Sequence, residues 1–349
     1  MPNIFIDPYL FACPKVNDGK DTFVAYVRDL LEWESLCDCK WARVFILRET
    51  YSILAKQNHY PLWSDLKTMI EKYSIDYIQP DNIVILVNSF LDKFTQIEST
   101  LQIIDLLAEH TIIKPSNHLN ERAEPFQEIY KKTLIYMSLK SRLHQEPSDE
   151  QLLITTEIDS NSRVSIEAEL IMIEFEDGSE NEAKLSFPVL LSDVFTNCKN
   201  YENLLLSVNP ETMWLKSNNS TSSKMAIIIC TYILSRNINT EIKFNELLDV
   251  EFGKSFINSA QGLGFCNEQN KIKMFLRSVS ELILSVNLNK SHALRNDEGG
   301  NNLQIEQNGY KAWRRDIDYE YHLHYWKKAE HIILSSIVTH NDFNIMPFC

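Results

Sequence analysis

From Leu152 onward the spacing of apolar residues switches to two, and this change of period constrains the fold more than any other feature of the chain. The runs LLITTEID and RVSIEAELIMIEFEDG alternate apolar with polar side chains, as strands do when one face meets a core and the other meets water. They read as antiparallel strands joined by a turn at Asp159–Ser162, and DGSENE then leads to a third strand, AKLSFPVLL. Helices over Tyr201–Val208 and Lys224–Arg236 complete a central α+β module at 151–240, whose two-faced polarity suits a partner surface.

Upstream, strands alternate with helices. Asn3–Ile6 is a short apolar burst closed by Asp7-Pro8, and Arg43–Leu47 is a second strand. Thr22–Leu36 places Phe23, Val27, Leu30 and Leu31 at helical spacing, with Asp21 as its N-cap. Further helices are predicted over Glu49–Lys56, Ser64–Tyr73 and Asn82–Phe94, and from Pro125 to His144. This order predicts an N-terminal α/β domain over 1–145, followed by QEPSDEQ as an exposed linker. The fold class expected is therefore multidomain α+β.

Composition excludes several function classes. Only 8 glycines occur among 349 residues, without GxGxxG or GxxxxGK[ST], so no loop is suited to cradle phosphates by backbone alone. The longest apolar run, Met225–Leu234, is half the length of a bilayer span of about 20 residues. No secretory signal is visible, and the 7 scattered cysteines read as reduced thiols, so the expected location is cytoplasmic and no membrane partner is expected. A net charge of −14 opposes whole-surface attraction to nucleic acid while leaving room for a local basic cleft.

The C-terminal third, 245–349, holds the chemistry. Val250–Phe252 is a strand, and Phe256–Leu263 and Lys271–Val286 are helices, the second with Ile272, Phe275, Leu276, Val279, Leu282 and Ile283 on one face. Three strand segments follow: Leu303–Gln307, Ala312–Ile317, and a hairpin of His322–Trp326 with Ile332–Val338 across KKAEH. The predicted order is β-α-α-β-β-β. Within it, Gly309-Tyr310, Arg314-Arg315, Ile317, Glu320, His322, Tyr325 and His340 form a series that resembles the RelE/YoeB toxins, small endoribonucleases of messenger RNA. The resemblance spans about 249–342. It implies a RelE-like domain, RNA (or another nucleic acid) as partner, and a restraining protein subunit, in a toxin-like effector of a bacterial defence or toxin–antitoxin system. The chain departs from the pattern at Asn301, where the family has its catalytic glutamate, and at His322, where it has arginine. Residues 289–349 also hold seven Lys/Arg against eight Asp/Glu, whereas the toxins are basic.

RNA cleavage without metal or cofactor needs a base, an acid and a cation for the crowded phosphorane. Histidine supplies the first two near neutral pH, and arginine supplies the third. Residues two apart on a strand share a face, so His322 and His324 point the same way, and the hairpin returns His340 toward them. The candidate catalytic set is His322, His340, Arg314, Arg315 and Tyr325; candidate substrate-binding residues are His324, Arg295 and His292. Arg314 and Arg315 face opposite ways, so at most one is catalytic, and the other pairs with Asp316, Asp318 or Glu320. Three alternatives stay open. His322, His324 and His340 with Asp342 form a metal site; the C-terminal domain binds nucleic acid or protein without catalysis; or Asp7 and Glu49, which resemble the carboxylates of PIN-type nucleases, hold a metal in the N-terminal domain.

Overall fold

The short run Asn3–Ile6 (β1) is apolar at three of its four positions because both of its faces are covered. It lies inside a sheet of the first of two units, Pro2–Ser207, the second being Val208–Cys349. The computed structural model describes residues 1–120, 122–143, 150–156, 163–240, 242–244, 247, 250–296 and 302–348. The QEPSDEQ linker apart from Glu150 and Gln151, the turn at Asp159–Ser162, and Asn301 lie outside them.

In the first unit β1 is followed by α1 (Lys20–Trp33), β2 (Arg43–Ile46), α2 (Thr50–Lys56), α3 (Trp63–Tyr73), α4 (Pro80–Lys93), β3 (Thr95–Gln96), α5 (Ile97–Leu101), β4 (Ile103–Lys114), α6 (Asn117–Asn120) and α7 (Glu124–Leu143). β5 (Gln151–Ile154), β6 (Arg163–Phe175), β7 (Val189–Cys198) and α8 (Tyr201–Ser207) complete it. The sheet order is β3-β2-β1-β5-β7-β6-β4. β1 is parallel to β2 and β5, and β5 is parallel to β7; β6 runs antiparallel to both β7 and β4.

The boundary expected near residue 150 is therefore corrected. β5 enters the N-terminal sheet beside β1, so the central strands share one core with 1–145 instead of forming a module of their own. The expected hairpin between the first two central strands is absent too: β5 pairs with β1 and β7, and the partners of β6 are β7 and β4. The third strand starts at Val189, after a short turn of helix at Glu182–Lys184. Helix α1 begins two residues earlier than expected: Gly19 is the N-cap, and Asp21 sits in the first turn, where a carboxylate favours the positive end of the helix.

The second unit contains α9 (Pro210–Leu215), α10 (Ser220–Asn237), β8 (Val250–Phe252), α11 (Phe256–Gly262), α12 (Gln269–Ile283), β9 (Ser291–Ala293), β10 (Glu306–Gln307), β11 (Tyr310–Asp316), β12 (Tyr321–Lys328) and β13 (His331–Thr339). It starts at Val208, not 245, because α9 and α10 pack on α12. Its sheet has the order β10-β11-β12-β13-β8, with β9 also paired to β11. The strands are antiparallel except for β8, which is parallel to β13. The stripe Ile272, Phe275, Leu276, Val279, Leu282 and Ile283 is buried as its spacing predicts. Full burial of each such side chain contributes about 1.5–3 kcal/mol. Among the described residues no helix is long and apolar enough to cross a membrane.

Candidate active site

Strand alternation sorts the C-terminal candidates onto two faces. Across β11 and β12, Arg314 lies opposite His324, Arg315 opposite Leu323, and Asp316 opposite His322. Across β12 and β13, His322 lies opposite Val338 and His324 opposite Ser336. Arg314, Asp316, His322, His324 and Ser336 thus share the outer face of the sheet. Arg315 and Tyr325 belong to the inner face, against the helices.

Arg315 is fully buried and its guanidinium is used up by structure. Nη2 donates to Glu281 Oε2 at 2.9 Å, Nε to Ser278 Oγ at 3.2 Å, and Nη1 to Ser291 Oγ at 3.0 Å and the Asn287 carbonyl at 3.3 Å. Glu281 also accepts from Arg277 Nε at 3.1 Å and lies 3.4 Å from Lys290 Nζ. Burial pushes the Glu281 carboxyl up, but Arg277, Lys290, Asn287 and Arg315 outweigh it and hold it below the usual carboxylate range. Arg315 is therefore a clamp between β11, β9 and α12, and its assignment to catalysis is corrected; its partner is Glu281 rather than a neighbour in the turn. Tyr325 is 2% exposed on this inner face, and burial raises its phenol.

On the outer face His340 Nδ1 lies 3.0 Å from His322 Nε2, the rings meeting edge to face. The backbone N–H of His340 donates to the Glu320 carbonyl at 2.8 Å, which fixes the end of β13 beside the turn before β12. Asp316 Oδ1 is 3.4 Å from His322 Nε2, and its Oδ2 is 3.6 Å from Nε2 of the exposed His292. His322 Nε2 thus stands between His340 Nδ1 and a carboxylate oxygen, and the direction of the 3.0 Å bond between the rings follows the tautomer, one of the two facing nitrogens carrying the hydrogen. Burial lowers the His322 pKa, with Asp316 opposing and Arg314, His340 and His292 adding to the fall.

His324 is fully buried. Its Nδ1–H donates to the Asn344 carbonyl at 3.1 Å, and burial brings its pKa down to about 4. The guanidinium of Arg314 stacks on Phe343, Cζ lying 5.3 Å from the ring centre. The same C-terminal segment covers Trp326, Ala312, Leu294 and Ile333 with Phe343, Ile345 and Phe348. Among the described residues, Arg314 Nη1, His322 Nδ1, His324 Nε2 and Ser336 Oγ are buried without a hydrogen-bond partner. Such orphans are costly in native proteins, and these four gather on three neighbouring strands.

The structure brings together His322, His340, Arg314, His324 and His292, and it separates Arg315 and Tyr325 from them. Arg295 is exposed two residues past β9. Sequence reasoning missed Asp316 and Ser336 as members. Asp316 was recoverable by counting back across the turn before Tyr321, since hairpin geometry pairs residues equidistant from it. His331, read as a turn residue, instead bridges strands: Nδ1 lies 2.7 Å from the Tyr310 hydroxyl and Nε2 3.0 Å from Glu251 Oε1.

In the first unit Asp7 is fully buried and paired with Arg122, while Glu49 pairs with Lys132. Cations thus take the two carboxylates proposed for an N-terminal metal. Among the described residues no group of three His, Cys, Asp or Glu side chains is placed to hold a metal ion. Comparison with known families, curated proteins and solved structures finds no match to this chain.

Proposed function

We propose that the second unit is a RelE-like endoribonuclease that cleaves RNA without metal on the outer face of its sheet. The observation that carries this reading is the hydrogen-bonded His322–His340 pair beside Arg314, set among buried polar atoms that lack partners. A neutral His340 whose Nδ1–H donates to Nε2 of His322 presents its other nitrogen, Nε2, as a lone pair, which takes the 2′-hydroxyl proton and turns His340 into an imidazolium. The imidazolium then gives that Nε2 proton to the leaving 5′-oxygen, so His340 ends neutral and the proton count closes. One nitrogen of His340 thus serves first as base and then as acid without either ring moving, while His322 holds the other nitrogen in place. Arg314 supplies charge for the phosphorane, and a guanidinium stacked on an aromatic ring is prepared to stack on a base. In this reading the chain is a toxin-like effector of a bacterial defence or toxin–antitoxin system, with restraint supplied by a protein partner.

A second reading, a nucleic-acid- or protein-binding subunit without catalysis, is favoured by the 1% exposure of His322 and the net charge of −14. One assay separates the two. The full chain is incubated with labelled single-stranded RNA at neutral pH in EDTA, with cleavage and binding followed together. Cleavage should persist in EDTA and fall about 100-fold or more in both His340→Ala and His322→Ala. Binding with no cleavage would establish the second reading, and cleavage untouched by either substitution would remove the histidine pair from the chemistry.

A further inference from the structure

The antiparallel half of the first sheet exposes apolar residues where water-facing strands ordinarily carry polar ones. On β7, Leu190 is 67% and Val194 63% exposed, while Leu191 and Phe195 between and beside them are buried. Leu190 lies opposite Glu169 of β6, and Glu169 opposite Glu109 of β4; Val194 lies opposite Ser165, and Ser165 opposite Lys114. The exposed Ile112 sits in the same layer, opposite Glu167, and the exposed Leu107 and Met172 form a pair one step further along. An antiparallel sheet with one wet face shows polar residues there, so exposed apolar side chains on all three strands, interleaved with carboxylates, mark a surface that another molecule covers.

We propose that this outer face of β4, β6 and β7 docks a protein segment in which apolar residues alternate with Lys or Arg. Charge selects this occupant. Glu109 and Glu169 stand directly opposite each other across β4 and β6, an arrangement that is unfavourable by itself, and no ion pair to either occurs among the described residues. The neighbouring Glu167 is matched by Lys114 at 3.1 Å. A cation entering between Glu109 and Glu169 relieves their repulsion while its apolar neighbours cover Leu190, Val194 and Ile112. A second copy of this chain would bring the same carboxylates against themselves, and nucleic acid would bring phosphates against them. Docking takes place on the face and not by strand addition at the edge, because β4 breaks register with β6 at three places, and such bulges blunt an edge.

The test uses the full chain and two labelled synthetic peptides, one alternating Lys with Val and Leu, the other identical with Glu for Lys. Fluorescence anisotropy should show the basic peptide binding at least tenfold more tightly than the acidic one. The pair Leu190→Ser with Val194→Ser should lose that binding about tenfold with an unchanged melting temperature, since these side chains face water. Glu109→Lys with Glu169→Lys should reverse the preference between the peptides. Equal binding of both peptides, binding that neither variant moves, or sedimentation of the wild-type chain as a dimer that Leu190→Ser dissociates would overturn the proposal.

Discussion

Arg315→Ala will destabilise the second unit by about 3–5 kcal/mol, the range found when one partner of a buried ion pair is removed. The substitution strands Glu281, which is 2% exposed, with Arg277 and Lys290 at its rim as the remaining cations. It also leaves Ser278, Ser291 and the Asn287 carbonyl without their donor. Hydrogen exchange of the full chain should then show β11, β12 and α12 opening while the sheet of the first unit keeps its protection. Arg314→Ala is the control one residue away. Its guanidinium stacks on Phe343 and is half-buried, so stability should change much less, while RNA cleavage should fall. A further variant separates charge from shape: replacing Arg315 and Glu281 together by Met and Leu should recover part of the loss, because a matched apolar pair leaves no stranded charge. Unchanged exchange in Arg315→Ala would return Arg315 to the list of residues available for chemistry.

The pair of arginines shows what a sequence discloses and where it stops. Alternation along a strand places 314 and 315 on opposite faces without further information. Which face meets the helices depends on how β11 registers against α12, and the partner Glu281 lies 34 positions away. A signal was present: Glu281 falls between Val279 and Leu282, inside the apolar stripe of α12, where an acid needs a buried cation. The hairpin of β12 and β13 was legible for the same local reason, since period-two runs flank one short polar turn. β5 was not. Its described strand is four residues long, too short for periodicity to distinguish a strand buried on both faces from one arm of a hairpin, and its neighbours β1 and β7 are chosen by contacts far away in the chain. The histidine contact stands between these cases. The shared face of His322 and His324 follows from spacing. The approach of His340 depends on the hairpin register, in which a shift lies between His324 and Tyr325.

Lowering the pH from 7 to 4 will cost the second unit about 3 kcal/mol, most of it through His324. In the unfolded chain this imidazole titrates near 6.5, and in the folded one burial brings it down to about 4. Between those values the unfolded state binds the extra proton, so stability rises with pH across the window and falls as acid is added. A difference of roughly two and a half units at about 1.4 kcal/mol per unit gives the magnitude. His322, lowered by burial in the same direction, adds to the slope. The Glu281 carboxyl is held below its ordinary value, so its contribution is present above about 4.5 and is lost only on further acidification. The two sources therefore occupy different parts of the pH axis. Denaturant unfolding of the full chain at pH 7, 6, 5 and 4 measures the slope, with exchange of β12 and β13 peptides assigning it to this unit. His324→Gln keeps a donor for the Asn344 carbonyl and removes the titration, so its stability should be nearly flat between pH 6.5 and 4.5 apart from the share due to His322. A His324→Gln curve as steep as the wild type's would mean that His324 keeps an ordinary pKa, and with it the access to water that its position under Asn344 denies it.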